Sequence, residues 1–140
     1  MTILFCQSAR SEGLRLKAVE AFEAGQDEEA LKYIQKSLKL DPENVKAKSE
    51  EFRLKAVEAF EKEKYEDALT YIQKSLELDP GGVKALLRSA MTKAALGDYL
   101  GAVEDKEEAQ RIYRKLGHPE IADVLQSEVD TYRRLHLESK

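Results

Sequence analysis

From Leu14 onward the apolar positions recur in steps of three and four, the spacing that gathers side chains on one face of a helix. Leu14, Ala18, Ala21 and Phe22 make the first such stripe. Ser11 followed by Glu12 reads as its start, with the serine oxygen free to accept an orphan backbone N–H. Leu16 and Val19 fall outside the stripe, so this helix is apolar over more than half its circumference. Such a helix is expected to lie between neighbours or to expose a groove. Gly25 ends it, because glycine takes left-handed backbone at least cost. A second helix is predicted from about Asp27 to Leu40, with Ala30, Ile34, Ser37 and Leu38 facing the first. Glu28–Lys32 forms a pair on its wet side, and Asp41–Pro42 stops it. Joined by so short a turn, the two helices must run antiparallel. Met1–Gln7 has no helical period and reads as a loose lead-in.

The same pattern is then written again. Ala9–Lys46 and Ala47–Lys84, laid over each other at an offset of 38, agree at 26 of 38 positions. A fixed period of this size is the signature of a stacked repeat, in which each unit buries its apolar face against the next. In the second copy Phe52, Ala56, Ala59 and Phe60 form the first stripe, Ala68, Ile72, Ser75 and Leu76 the second, and Asp79–Pro80 the stop. Glu63 stands where Gly25 stood, which predicts a tighter or less strained turn. Nothing between Pro42 and Ser49 breaks a helix. The second unit therefore begins near Asn44 or Val45, or it breaks and is capped afresh at Ser49, and the residues leave both open.

A third, diverged unit follows. Val83–Leu96 carries Leu86, Leu87, Ala90, Met91 and Ala94, Gly97–Asp98 makes a turn, and Tyr99–Leu116 runs through Ala102, Val103, Ala109, Ile112 and Tyr113. Gly117 caps that helix, and Pro119 suits the first position of a last one. Ile121, Val124, Leu125, Val129, Tyr132 and Leu135 are expected on one side of it, as on the helix that closes a stack. The expected architecture is all-α: a right-handed superhelical stack of antiparallel helix pairs with about seven helices. Residues 1–8 form the lead-in and 9–140 a single domain, with units at about 9–46, 47–82 and 83–116 and a closing helix at about 118–137.

Composition narrows the functional classes. Charged residues make up 36% and aromatics 7%, yet the net charge is only −4 with both signs interleaved, so no basic stripe marks a nucleic-acid surface. Arg111, Arg114, Lys115, Arg133 and Arg134 are interspersed with Glu107, Glu108, Glu120 and Asp130 and read as a solvated face. The apolar run at Ile3–Phe5 is far short of a membrane span or a secretory core, so the expectation is a soluble cytoplasmic protein. A single cysteine, Cys6, has no partner for a disulfide and no basic neighbour to activate it. His118 and His136 lack a third ligand at metal spacing. The acidic residues Asp27, Glu28, Glu29, Glu66 and Asp67 sit at helix starts, where the helix dipole stabilises them. No phosphate loop or nucleophile elbow occurs. The reading is not an enzyme, with no cofactor, no metal, no nucleic acid and no membrane partner.

These residues resemble the tetratricopeptide repeat (TPR) family, whose units are helix–turn–helix pairs of about 34 residues with small and aromatic residues at set places. The resemblance rests on Ala18, Phe22, Gly25, Ala30, Ile34, Ser37 and Pro42 in the first unit. In the second it rests on Ala56, Phe60, Tyr65, Ala68, Ile72, Ser75 and Pro80, and in the third on Ala90, Gly97, Asp98, Tyr99, Ala102 and Ala109. It covers about Ala9–Leu116, three repeats, with the closing helix similar to the family's solvating helix. The 38-residue offset exceeds the family's usual period, the third unit lacks its proline, and Lys106 stands where Ile34 and Ile72 stand in the others. Lys106 is expected to pack its stem while its ammonium reaches water, the alternative being a charge facing a partner.

The resemblance implies a peptide-binding groove lined by the first helix of each unit. Carried over, it would comprise Arg15, Leu16, Val19 and Phe22, then Arg53, Leu54, Val57 and Phe60, then Lys84, Leu87, Arg88 and Met91. One subgroup of the family clamps the terminal carboxylates of chaperones with two lysines, two asparagines and an arginine. Lys84 and Arg88 match that clamp and Arg15 replaces its first lysine, but Val19 and Leu54 stand where both asparagines should be. Hydrogen bonds to charged groups contribute about 1.5–3 kcal/mol each. Losing two weakens such a complex roughly 10²–10⁴-fold. The expected function is a protein-interaction module, an adaptor or co-chaperone-like scaffold, whose groove takes a protein or peptide ligand that is apolar with acidic flanks. The alternatives are a self-associating repeat protein, its groove filled by its own Met1–Phe5 or by a second copy as a homodimer, and a carboxylate clamp.

Overall fold

The computed structural model of the protein describes residues 2–140, with side chains described from Cys6 onward. Seven helices follow one another among these residues: α1 (Thr2–Glu23), α2 (Asp27–Leu40), α3 (Val45–Glu61), α4 (Tyr65–Leu78), α5 (Val83–Ala95), α6 (Tyr99–Lys115) and α7 (Pro119–Glu138). Each packs mainly on its chain neighbours, so α1–α2, α3–α4 and α5–α6 are hairpins stacked in sequence, with α7 closing the far end on α6. α1 also approaches α3, and α3 approaches α5, whereas α2–α4 and α4–α6 make no comparable approach. The stack therefore curves with its first helices on the inside.

Small residues at the crossings let the helices come close. Ala18, Ala30 and Ile34 are buried in the first unit, Ala56, Ala68 and Ile72 in the second, and Ala90, Ala102 and Ala109 in the third. Two serine pairs tie the first two hairpins. Ser11 and Ser37 each donate their hydroxyl to the other's backbone carbonyl, at 2.8 and 2.7 Å. Ser49 and Ser75 do the same at 3.0 and 2.9 Å. A hydroxyl buried without such a partner would cost about 1–3 kcal/mol.

This corrects the reading of Ser11 as a helix start. Ser11 lies inside α1, which begins at Thr2, so the segment expected as a lead-in over residues 1–8 is helical from Thr2 onward, while Met1 lies outside the described residues. The serine serves the facing helix rather than its own end. Continuing α1 in the same direction, Thr2–Phe5 does not turn back into the groove. The second unit begins where the continuous alternative placed it. Asn44 caps α3, its Oδ1 accepting from the Ala47 N–H at 3.1 Å, and there is no fresh cap at Ser49. The Asn44 amide also donates to Ser11 Oγ and Glu12 Oε1, at 3.0 and 3.2 Å, stitching α3 to α1.

Four turns close by one device. Gly25, Gly97 and Gly117 take φ of 78°, 85° and 84°, and Glu63 takes 60°. After α1 the Gly25 and Gln26 amides donate back to Phe22 and Ala21, and after α3 the Glu63 and Lys64 amides donate to Phe60 and Ala59. The Glu63 turn is thus the same turn with a side chain in left-handed backbone, more strained than its glycine counterpart rather than less. That conformation costs a side-chain-bearing residue roughly 1–2 kcal/mol, while glycine adds roughly 0.4–1 kcal/mol of unfolded-state entropy. Glu63→Gly should therefore raise stability by about 0.5–1 kcal/mol, seen as a higher urea midpoint; a lower midpoint would contradict this.

The third unit and the closing helix need two further corrections. Ala122 and Val129 are the buried residues of α7, with Leu125, Tyr132 and Leu135 half-buried, whereas Val124 is 73% exposed and Ile121 also faces outward. The packed stripe is therefore rotated away from Val124, following the contact with α6, where the Gln110 amide donates to the Ala122 carbonyl at 2.9 Å. Lys106 is buried, and its ammonium meets the Glu128 carboxylate of α7 rather than open water or a partner. On α2, Lys32 lies nearest Glu29, at 3.7 Å, not Glu28, a surface pair of little consequence.

Candidate peptide-binding groove

The inner side of the stack holds two adjoining recesses. One, of about 360 Å³, is lined by Arg15, Leu16 and Val19 of α1, by Glu50 and Arg53 of α3, and by Val83 and Lys84 of α5. The other, of about 370 Å³, is lined by Phe22, Glu23, Leu87, Arg88 and Met91, and shares Arg53 and Lys84 with the first. Nine of the twelve residues expected along the groove therefore line it: Arg15, Leu16, Val19, Phe22, Arg53, Lys84, Leu87, Arg88 and Met91. Of these nine, Leu16 and Met91 present the most open apolar surface, at 52% and 42% exposure.

Leu54, Val57 and Phe60 are placed differently. Leu54, 7% exposed, joins Ala18, Ala21, Ala30, Ile34 and Ala47 in the core beneath the first hairpin. Val57 is likewise buried. The reason is position in the stack: α3 is flanked by units on both sides, so faces that α1 leaves open are covered on α3. Phe60 is half-buried, with the Arg88 guanidinium 5.6 Å from its ring centre and Tyr65 packed edge-on. The same arrangement recurs one junction earlier, where Arg53 lies 4.5 Å from the centre of the Phe22 ring. Each pairing holds a guanidinium over an aromatic face, an attraction that strengthens as water is removed.

Carboxylates accompany the groove cations. Arg15 donates through Nε and Nη2 to Glu12, at 2.8 and 3.0 Å, and Arg53 donates through the same two nitrogens to Glu50. The Arg15 bond holds the Glu12 carboxyl below its ordinary value, and Glu12 in turn raises Arg15. Lys84 of α5 bonds Glu23 at the end of α1, which lowers the Glu23 carboxyl. Groups lowered in this way contribute in their charged form, and that contribution disappears as pH falls through the carboxylate range. Arg88 differs. Among the described residues no carboxylate lies within 4.0 Å of it; burial, then the charge of Arg53, disfavours its protonated form, and the carboxylates of Glu61 and Asp27, farther off, offset this only in part.

Five contributors are absent from the groove expected from the sequence. The Glu-x-x-Arg spacing of Glu12/Arg15 and Glu50/Arg53 is visible along the chain and could have shown two of the carboxylates. Glu23–Lys84 spans 61 positions and leaves no such signal. Nor does the end of α6, whose Tyr113 and Leu116 complete the first recess, Leu116 at 64% exposure. The remaining chemistry is sparse. His118 precedes α7 with Nδ1 3.4 Å from Glu120, and Cys6 is exposed. Among the described residues no helix is long and apolar enough to cross a membrane.

Family models of the tetratricopeptide repeat match residues 11–44 and 54–81. These two stretches are thus matched as tetratricopeptide repeats, and a third hairpin and a closing helix continue the same stack among the described residues. No curated protein matches its sequence. Several solved structures share the fold at low identity. The Arabidopsis OM64 TPR domain is 21% identical with a TM-score of 0.61, over 90% of this chain and 98% of that one. The yeast Sti1 TPR2B domain, solved in a pHsp70 complex, is 21% identical with a TM-score of 0.62, over 94% and 99%. PcrH, solved with the chaperone binding region of PopD, is 19% identical with a TM-score of 0.63, over 88% and 90%.

Proposed function

We propose that the protein is an interaction module whose inner groove takes a partner's peptide segment or helix, apolar in character with an acidic group beside it. The observation that carries this reading is the meeting in one groove of exposed Leu16 and Met91 with Arg88, a half-buried cation lacking a carboxylate of its own. Apolar surface left open beside an unpaired charge is the kind of patch that a ligand covers. Similar stacks have been solved with pHsp70 and with a region of PopD, which supports a protein-binding role for this one. The family is one of scaffolds rather than of enzymes.

A chaperone-tail clamp is the weaker alternative. Val19 and buried Leu54 cannot supply the amide hydrogen bonds of the two asparagines, and Lys84 is engaged by Glu23. Leu16→Glu combined with Met91→Glu should abolish capture of partners from a lysate by the tagged protein while leaving its helical CD unchanged, since both side chains are exposed. Capture that persists at the wild-type level would refute the groove. Light scattering across concentration, wild type against the same variant, addresses pairing of two copies: a dimer lost in the variant would favour self-association.

A further inference from the structure

Building on the groove reading above, we infer that the groove selects a segment bearing one carboxylate next to one bulky apolar side chain. The carboxylate sits on Arg88, and the apolar side chain enters the recess that α6 completes with Tyr113 and Leu116.

The selectivity follows from which charges are already answered. Arg15 is held by Glu12, Arg53 by Glu50 and Lys84 by Glu23. A ligand carboxylate at any of these must displace one that is present, exchanging like for like. Of these four cations Arg88 alone gains a contacting carboxylate it does not have: it rests on the Phe60 ring, half-buried and beside the like charge of Arg53, with Glu61 and Asp27 beyond 4.0 Å. The first recess also contains Asp79 besides Glu50, so a second acidic group there meets like charge. What that recess offers instead is apolar: Leu16 and Leu116 are exposed in its lining, together with Val19, Val83 and Tyr113. Because the recesses share Arg53 and Lys84, the two features belong to neighbouring positions of one short segment. Glu23 thereby becomes a specificity residue, since it withholds Lys84 from the ligand.

Affinity selection from a synthetic library of acetylated, amidated octapeptides, read by mass spectrometry, tests this. The retained peptides should carry one Asp or Glu close to a Leu, Ile, Met or Phe, with further acids adding less than about twofold. Arg88→Gln should weaken these peptides about tenfold while the apolar preference remains. Leu116→Ser, at an exposed position, should relax the apolar preference while the acidic one remains. Glu23→Gln should release Lys84 and allow enrichment of peptides with two acids. Three results would overturn the inference: wild-type enrichment of multiply acidic peptides, an acidic preference that survives Arg88→Gln, or dependence on a free terminal carboxylate in an unblocked library. If the wild type retains nothing beyond the Leu16→Glu/Met91→Glu variant, the groove reading itself fails, a result distinct from those three.

Discussion

Leu54→Glu is expected to remove a large part of the protein's stability and lower its melting temperature sharply, while Leu16→Glu, at the matching position of the first repeat, leaves stability nearly unchanged. Both leucines sit within the identical run Arg-Leu-Lys-Ala-Val-Glu-Ala-Phe, so local helix propensity is the same for both. Their surroundings are not. Leu54 is 7% exposed against the alanines of the first hairpin and Ile34, and a carboxylate placed there has no cation within the cluster to accept it. Lost burial and an unpaired buried charge together cost about 4 kcal/mol. A domain of this size holds about 5–15 kcal/mol in all. Leu16 is 52% exposed, and a surface change of this kind shifts stability by about 0.5 kcal/mol at most. Thermal CD melts of the two variants check the contrast, and equal melting temperatures would show that the two leucines are equivalent after all. The contrast also dictates how the groove is probed. Leu54→Glu with Val57→Glu, the pair that the repeat pattern suggests, would report loss of fold as loss of binding.

The second large effect concerns the junction between α6 and α7. Removing the carboxylate with Glu128→Ala leaves the Lys106 ammonium, buried to 5% exposure, without its partner. A fully buried pair broken on one side costs about 3–5 kcal/mol. Glu128 is half exposed, so water can reach the junction and about 1–2 kcal/mol is expected here. Lys106→Met should cost little in the wild-type background, because Ile34 and Ile72 occupy the corresponding place in the other units as buried apolar residues. Combined with Glu128→Ala it should restore most of the stability that Glu128→Ala alone removes. Urea unfolding of the four proteins closes the cycle. If Glu128→Ala is neutral, or if Lys106→Met fails to compensate, the pair does not hold α7 to the stack.

Much of the architecture was readable along the chain because its determinants lie within a turn or two of each other. The stripes Ala18–Phe22 and Ala30–Ser37, the prolines at 42 and 80 and the glycines at 25, 97 and 117 all act locally, and the helices end where they say. The two misreadings at caps and turns are also local in kind. Ser11 has the chemistry of a cap, but it is used by α2, 26 positions away, which no local rule registers. Glu63 suggested a different turn, yet packing of the flanking helices imposes the Gly25 geometry and the side chain accommodates it. On α7 the period was right and the phase was not, since the contact with α6 sets which residues turn inward.

The groove divides the same way. The duplicated run places Arg15, Val19 and Phe22 on one face of α1 and Arg53 on the matching face of α3, because helical spacing settles which residues share a face, while the resemblance to the repeat family is what proposed that face as the groove. Whether a face is open is decided by what stands next to it, and that is a property of the stack. Leu16 is exposed on α1 while its counterpart Leu54 is buried on α3, and Arg15 and Val19 are half-buried where Arg53 and Val57 are buried, because the first helix has a neighbouring unit on one side and the third has one on each. Charge balance has the same origin: Lys84 is answered by Glu23 from 61 positions away, and Arg88 is left alone by the arrangement of three hairpins. The repeat thus specifies helices, turns and a candidate face from neighbouring residues alone. The covering of Leu54 and the openness of Leu16 come only from distant parts of the chain meeting in space, as does the lack of a carboxylate within 4.0 Å of Arg88 among the described residues.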